Sequence, residues 1–204
     1  SSDLISCTYF DGFMEVTRKD PFKGEVVTSR APRFVTEWSM EIRSTPGQEV
    51  PIYKIQNFIM DLRSKGYPIK MVSTDGYQST NLRQNLTLEG VETKLISVDR
   101  TKDPYNELRN IILEERIRLP NLPKLKKEIQ ELEDVGPKFD HPVDGSKDIL
   151  DSVCGSVWSC SQELAGENQA RQMKDMSIAL HNYLGASSMN ASGFEKKLQN
   201  FLSR

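Results

Sequence analysis

Carboxylates are the side chains whose type and spacing give this sequence its clearest chemical potential. Asp75 follows a short predicted strand, residues 69–73, and precedes a glycine. It is therefore expected at the carboxyl end of a strand, where ligand-binding groups gather in sheets of this kind. A structural Asp-Gly turn would have the same sequence. Asp148 and Asp151 are three residues apart in a predicted helix, so their Cβ atoms should lie about 5–6 Å apart on one face. Two such charges repel, and a divalent cation would remove that cost.

The two helical acids also have a simpler explanation, because negative charges in the first turn of a helix complement its dipole. Asp148 fits that explanation better than Asp151, which lies further into the helix. Asp3 and Asp11 place two more acids in the first strand region. Acids on a first strand, at the end of a later central strand and on a late helix follow the order found in the metal sites of ribonuclease-H-like nucleases. Such oxygen ligands suit Mg²⁺ or Mn²⁺, and two ions can activate water for phosphodiester hydrolysis.

The hydrophobic pattern predicts the elements that must position these acids. Residues 8–18, 24–30 and 35–42 indicate three strands with short connections, which together suggest an antiparallel meander. Helices and strands then alternate, and this order favours parallel pairing. The fold class is therefore α/β: a mixed sheet, meander first and parallel strands after, flanked by helices. Residues 1–160 are expected to form this domain, and residues 161–204 a helical extension packed on or beside it. After the meander, helices are expected at residues 52–62, 78–88, 103–112, 122–133 and 146–160. Strands are expected at residues 69–73, 91–98 and 117–119.

Composition excludes several classes of protein. The chain has 204 residues and a formal net charge of −2, which argues against a uniformly basic nucleic-acid-binding surface but allows a local basic patch. No run approaches about 18 apolar residues, so no membrane helix is expected. Three cysteines do not make a disulfide framework, and a reducing compartment is the expected setting. The sequence lacks a P-loop and a dinucleotide-binding glycine motif, and its cysteines lie far from His141 and His181, which disfavours a zinc site.

Four short strings resemble the large terminase subunit of tailed bacteriophages. They are VSTDGYQS at residues 72–79, SVDR at 97–100, DHP at 140–142 and GSKDILD at 145–151. The resemblance is to the C-terminal nuclease half of that protein, which has a ribonuclease-H-like fold related to the RuvC-type resolvases, and it covers roughly residues 1–160. The Walker motifs of the family's ATPase motor are absent here, so the chain resembles an excised nuclease domain.

The resemblance implies roles for the acids. Asp75 is similar to the second catalytic acid, and Asp148 with Asp151 matches the D-x-x-D helix. Asp3, which is followed by leucine and nine residues on by glycine, is the first choice for the first acid, and Asp11 is the alternative. Two Mg²⁺ or Mn²⁺ ions would be held by Asp3, Asp75, Asp148 and Asp151.

Other polar residues are candidates for secondary roles. His141 could approach the metals, although a histidine before proline is more often a structural hydrogen-bonding group. Lys147 could contact a phosphate or be an ordinary exposed lysine. Arg100 and Lys102 are further candidates for DNA contacts. A lysine cluster shares its region with several glutamates, which favours a solvated helix face over a DNA-binding one; it comprises Lys124, Lys126, Lys127 and Lys138.

The predicted function is that of a two-metal endonuclease that cuts concatemeric viral DNA during genome packaging. Its expected partners are double-stranded DNA and, in the full packaging motor, the terminase small subunit and the portal. A membrane partner is not expected. The isolated domain is expected to be a monomer in the host cytoplasm. Two alternatives remain open: another ribonuclease-H-like enzyme, such as a junction resolvase or a transposase, and a non-catalytic docking module of a packaging complex.

Overall fold

The computed structural model describes most of the chain as a mixed α/β fold, which confirms the predicted fold class at that level. Backbone contacts divide the chain into two compact units, Ser1–Ser161 and Gln162–Arg204. None of the helices in the described part combines the length and the apolar content that a membrane crossing needs. The backbone is described for residues 2–20, 23–43, 50–76 and 79–184, and the side chains for 4–20, 23–43, 50–76 and 79–176.

A long antiparallel hairpin opens the fold. Strand β1, Ser2–Lys19, pairs along its length with β2, Val26–Arg43. The predicted three-stranded meander is therefore wrong, because its second and third strands are one continuous strand. Pro32 lies inside this strand, opposite Phe13 and beside a register shift in β1. A proline is tolerated at such a bulge because no ladder hydrogen bond is required of it there.

Helices and short strands alternate after the hairpin. The predicted parallel pairing is observed between β3 and β4 and between β2 and β5. The hydrogen-bonded strands of the described chain nevertheless form three sheets, β1–β2–β5, β3–β4 and β6–β7, where one mixed sheet was predicted. Residues 185–204 of the predicted helical extension lie outside the described residues. The elements are α1 Ile52–Ser64, β3 Met71–Thr74, α2 Thr80–Leu88, β4 Glu92–Leu95, α3 Asp103–Leu113, β5 Ile117–Arg118, α4 Pro123–Gln130, β6 Glu133–Asp134, β7 Phe139–Asp140 and α5 Asp148–Leu184.

Two apolar clusters hold these elements together. The larger one joins β2, α3, α4 and the first turns of α5, and Phe34, Ile111 and Val153 at its centre are fully buried. The smaller cluster packs α1 against α2 and the start of β4 through Leu86 and Val91. Each fully buried side chain of this size contributes about 1.5–3 kcal/mol to folding. The larger cluster therefore fixes α5, and with it Asp148 and Asp151, against α3.

Hydroxyl groups fasten another stripe of α5 to the hairpin. Ser152 and Ser156 are four residues apart, so they lie on one stripe of the helix. Their Oγ atoms lie 2.9 Å from Oγ of Ser6 and 2.7 Å from Oγ1 of Thr8. Ser6 and Thr8 are two apart on β1 and therefore lie on one face of the strand. The stripe of hydroxyl groups on this face matches the stripe formed by Ser152 and Ser156 on α5. This seam fixes the rotation of α5 over β1.

A charge network ties the far end of the hairpin to the end of α3. Glu114 accepts a hydrogen bond from Nε of Arg18 at 2.5 Å and another from Nε of Arg116 at 2.6 Å. Arg116 is buried and also donates to the carbonyl oxygen of Pro32 at 2.8 Å. The hydrogen bond from Arg18 is the main reason that the pKa of Glu114 falls to about 2, and Arg116 acts in the same direction.

We expect this network to make folding stability depend on pH in acid. A carboxyl group with a lowered pKa stabilises the folded state above its unfolded pKa, and the contribution is lost as the pH falls through the folded value. For Glu114 that window runs from about 4.5 down to about 2. Urea denaturation across this range should show a falling free energy of unfolding, with a shallower fall in Glu114→Gln. If the free energy of unfolding falls equally steeply with pH in the wild type and in Glu114→Gln, this pH dependence does not come from Glu114.

Candidate functional site

Asp75 lies where the sequence predicted it, directly after β3 at the carboxyl edge of a parallel strand pair. Thr74, the last residue of β3, pairs in register with Leu95, the last residue of β4. Oγ of Ser79 donates to the carbonyl oxygen of Gly76 at 2.7 Å. Gly76 has a φ of 78°, in the left-handed region that favours glycine. The side chain of Asp75 is exposed, so its carboxylate is open to solvent at this edge.

The chain beyond β4 carries a second acid, Asp99, which pairs with a lysine at the start of α5. Asp99 lies four residues after Leu95, and its carboxylate Oδ1 accepts a hydrogen bond from Nζ of Lys147 at 2.5 Å. The residue before it, Val98, is buried in the larger apolar cluster and fixes this part of the loop. No role for Asp99 was predicted from the sequence. Its occurrence in the string SVDR was the only signal that could have pointed to it.

Asp151 is the half-buried acid of the site. Its Oδ1 accepts a hydrogen bond from the hydroxyl group of Tyr105, and Nζ of Lys147 lies 3.2 Å from each of its two carboxylate oxygens. Burial raises the pKa of Asp151, and the hydrogen bond from Tyr105 and the charge of Lys147 partly oppose that shift. Burial and the neighbouring Asp151 carboxylate raise the pKa of Tyr105, so its hydroxyl remains a donor.

Lys147 is buried between the two carboxylates rather than exposed at the surface. Burial alone would lower its pKa, but the hydrogen bond that it donates to Asp99 and the charge of Asp151 outweigh burial, and the net shift is upward. Its ammonium group also lies 5.6 Å from the ring centroid of Tyr105. Lys147, Asp99 and Asp151 thus form a cluster with one positive and two negative charges. Contact with a phosphate, as the sequence suggested for Lys147, would require this lysine to leave its carboxylates.

The first turn of α5 is capped by a buried glutamate from α4. Oε2 of Glu128 accepts the backbone N–H of Leu150 at 2.8 Å, and Oγ of Ser146 lies 2.9 Å from Oε1. The predicted solvated face of the lysine-rich helix is wrong at this position, because Glu128 turns inward to satisfy a helix N-terminus. Asp148 is exposed, and its Oδ2 lies 3.0 Å from the hydroxyl of Ser146. Asp148 therefore fits the role of a first-turn acid that complements the helix dipole better than Asp151 does.

The structure describes only the backbone of Asp3 but both the backbone and the side chain of Asp11, the two candidates for the first acid. The backbone of Asp3 pairs with Ile42 in the hairpin, and its side chain lies outside the described residues. Asp11 lies within the bulged part of β1, between Phe10 and Phe13, and Oδ2 of Asp11 forms an ion pair of 2.9 Å with Arg33. The choice of Asp3 over Asp11 remains a prediction.

The secondary candidates mostly have local partners. Nδ1 of His141 donates to the carbonyl oxygen of Pro142 at 2.8 Å, a structural hydrogen bond of the kind that a histidine before proline often makes. Nζ of Lys102 lies 2.5 Å from Asp134, whereas Arg100 is exposed. Three members of the lysine cluster also face carboxylates, in the pairs Lys124–Glu128, Lys127–Glu131 and Lys138–Asp140.

The acids fit divalent cations by their chemistry. Asp75 and Asp148 present exposed carboxylates, and hard oxygen donors of this kind suit Mg²⁺ and Mn²⁺. Asp151 has donors on both oxygens, so a cation there would compete with Lys147. Among the residues with described side chains, no three histidine, cysteine, aspartate or glutamate side chains form a group that could hold a metal ion. Asp75, Asp148 and Asp151 are described and do not form such a group among themselves. The side chain of Asp3 lies outside the described residues, and the four-acid metal site remains a prediction.

Comparison with known proteins gives one structural similarity. No protein-family model matches the chain, and no curated protein matches it. Among solved structures, the chain is similar to the large terminase of bacteriophage HK97, with 13% sequence identity and a TM-score of 0.44. The similarity covers 77% of this chain and 39% of that protein, so the chain spans about two fifths of its length.

Proposed function

We propose that this chain is the metal-dependent endonuclease domain of a viral packaging terminase and cuts concatemeric viral DNA during genome packaging. The proposal is supported by the position of Asp75 at a strand end and by the contacts of Lys147 with two further acids. Asp75 is exposed at the carboxyl end of β3, and the continuation of its parallel neighbour β4 brings Asp99 into contact with Lys147, which also reaches Asp151 on α5. The four sequence strings that resemble terminase nucleases include all of these residues.

The acids have distinct roles in this proposal. Asp75 would help to hold both cations, Asp3 one or both, and Asp151, with the help of Asp148, the second. Two Mg²⁺ or Mn²⁺ ions would supply an activated water and charge stabilisation for the leaving oxygen of a phosphodiester. Tyr105 orients the carboxylate of Asp151, and Glu128 holds the first turn of α5 so that Asp148 and Asp151 keep their positions.

DNA binding by the isolated chain should be weak and strongly dependent on salt. Arg100 is an exposed cation beside Asp99, and it is the first candidate for a phosphate contact. Lys102 could exchange Asp134 for a phosphate, because its partner is exposed. Lysine and arginine contacts to phosphates release counter-ions, and affinity therefore falls steeply as salt rises. Tight binding would come from the rest of a packaging motor, including the ATPase, the small subunit and the portal, in the host cytoplasm.

Two other functions make different predictions. A junction resolvase or a transposase would share the order of acids, and a resolvase would prefer four-way junctions to linear duplexes. A non-catalytic docking module would use the acids only as turn and cap residues, as Asp148 and Glu128 do in part.

A plasmid assay tests the proposal. We expect the chain to nick or linearise supercoiled DNA with Mn²⁺ or Mg²⁺ and to lose this activity in EDTA. Cleavage that survives the chelator would exclude the metal-dependent mechanism. The absence of cleavage under all metal conditions would favour the docking module, and a strong preference for four-way junctions would favour a resolvase.

A further inference from the structure

The buried ammonium group of Lys147 lies between two carboxylates that do not hold it equally. Nζ of Lys147 lies 2.5 Å from Oδ1 of Asp99 but 3.2 Å from each oxygen of Asp151. The shorter distance is that of a strong charge-assisted hydrogen bond, and the longer ones lie at the upper end of the usual range. Asp99 is therefore the principal partner of Lys147, and Asp151 is the secondary one.

Asp151 keeps capacity for another positive partner. Tyr105 donates to its Oδ1, whereas in the described part of the chain Oδ2 receives only the 3.2 Å contact from Lys147. A carboxylate oxygen accepts more than one donor or metal ion. The side chain of Asp151 is 30% exposed, so an ion from solvent can reach it.

A divalent cation and the ammonium group of Lys147 cannot both remain close to Asp151 without strong repulsion. A buried lysine that lost every partner would be costly. Lys147 avoids that cost, because the hydrogen bond to Asp99 does not depend on Asp151. The lysine can therefore leave one carboxylate while it remains paired with the other.

We propose that Lys147 is a movable counter-ion that neutralises Asp151 until a divalent cation binds there, and that Asp99 is the positioning residue that retains Lys147 afterwards. This role rests on the proposed function, because it takes Asp151 as a cation ligand. Before the metal binds, the charge of Lys147 would reduce the electrostatic repulsion between the carboxylates of Asp99 and Asp151. It would also set the cation concentration at which the site fills.

Calorimetric titration of the whole chain with Mn²⁺, without DNA, tests the role of Lys147. Lys147→Gln keeps hydrogen-bond donors but removes the charge, and we expect it to bind Mn²⁺ about tenfold more tightly or better. That is roughly the repulsion between a unit charge and a divalent ion about 5 Å apart in a medium as polar as water. Lys65→Gln is the control, because Lys65 also pairs with an aspartate, Asp61 at 2.6 Å, but lies at the end of α1. It should change the affinity less than about twofold.

Asp99→Asn separates the positioning role from a general charge effect. In the wild-type background it should weaken Mn²⁺ binding about fivefold or more, because Lys147 then depends on Asp151 alone. In the Lys147→Gln background it should change the affinity less than about twofold, since Asp99 acts through Lys147. An equal loss in both backgrounds would mean that Asp99 acts only by its charge and would overturn the proposal.

A measurement on the unaltered chain covers the case in which a variant does not fold. The ¹⁵N resonance of the Lys147 ammonium group should shift as Mg²⁺ is added, in parallel with binding. An unchanged resonance, or unchanged affinity in Lys147→Gln, in a protein that binds metal and cuts plasmid would overturn this proposal alone. A wild-type chain that neither binds Mn²⁺ nor cuts DNA would remove the proposed function together with it.

Discussion

Asp75→Asn should reduce metal-dependent plasmid cleavage by about a thousandfold or more while the fold stays intact. Asp75 is the acid expected to bridge both ions, and losing such a ligand removes several kcal/mol of transition-state stabilisation, each 1.36 kcal/mol of which is a factor of ten in rate. The fold should tolerate the change, because the side chain is exposed and the described structure gives it no hydrogen bond or ion pair. Single-turnover cleavage with Mn²⁺ measures the rate, and thermal unfolding without metal checks the fold.

Asp144→Asn is a suitable control for this experiment. Asp144 is also an exposed aspartate followed by glycine, but it lies in the loop before α5 and has no place in the predicted site. Its rate should stay within about twofold of wild type. A wild-type rate in Asp75→Asn would remove Asp75 from the site, and an equal loss in both variants would point to a general effect of surface charge.

Asp151→Asn should cost about a hundredfold or more in cleavage rate, and extra Mn²⁺ should not restore it. The asparagine can still accept the hydrogen bond from Tyr105, so the orientation of the side chain is kept while its charge is lost. Asp148→Asn should cost about tenfold, in the range of losses seen when a residue that supports a metal ligand is removed. Asp148 is exposed and only Ser146 contacts its carboxylate in the described structure, so added metal should partly restore its rate.

Parallel single-turnover assays at limiting and saturating Mn²⁺ distinguish these two acids. The helix dipole gives Asp148 a structural role worth about 0.3–1 kcal/mol, which a urea titration of Asp148→Asn would measure separately from its rate. The opposite pattern, with Asp151→Asn restored by metal and Asp148→Asn not, would make Asp148 the principal ligand on α5.

The positions of Asp75, Asp148 and Asp151 in the fold were predictable because each depends on local sequence. A short strand followed by Asp-Gly places Asp75 at a strand end, and helical periodicity places the other two acids one turn apart. The hairpin was harder to predict, since Pro32 has the local signal of a break and only its long-range pairing opposite a bulge explains its presence inside β2.

The polar contacts of the site could not be read from local patterns. Glu128 looked like one acid among many on a charged helix, yet it accepts the N–H of Leu150, 22 residues away. Lys147 was expected either to contact a phosphate or to be an ordinary exposed lysine, yet it is buried and pairs with Asp99, 48 residues away. Contacts between residues so far apart in the chain depend on how elements pack, which the periodicity of a single sequence does not specify. Tyr105 was missed for the same reason.

Anomalous diffraction from crystals soaked in Mn²⁺ would test the central claim most directly. We expect two peaks about 3.5–4 Å apart, the spacing of two-metal phosphodiester hydrolases. Both should be bound by Asp75, and one should also be bound by Asp151 in place of Lys147. Peaks that avoid Asp75 and Asp151, or no peak at this strand edge at a saturating concentration of Mn²⁺, would contradict it.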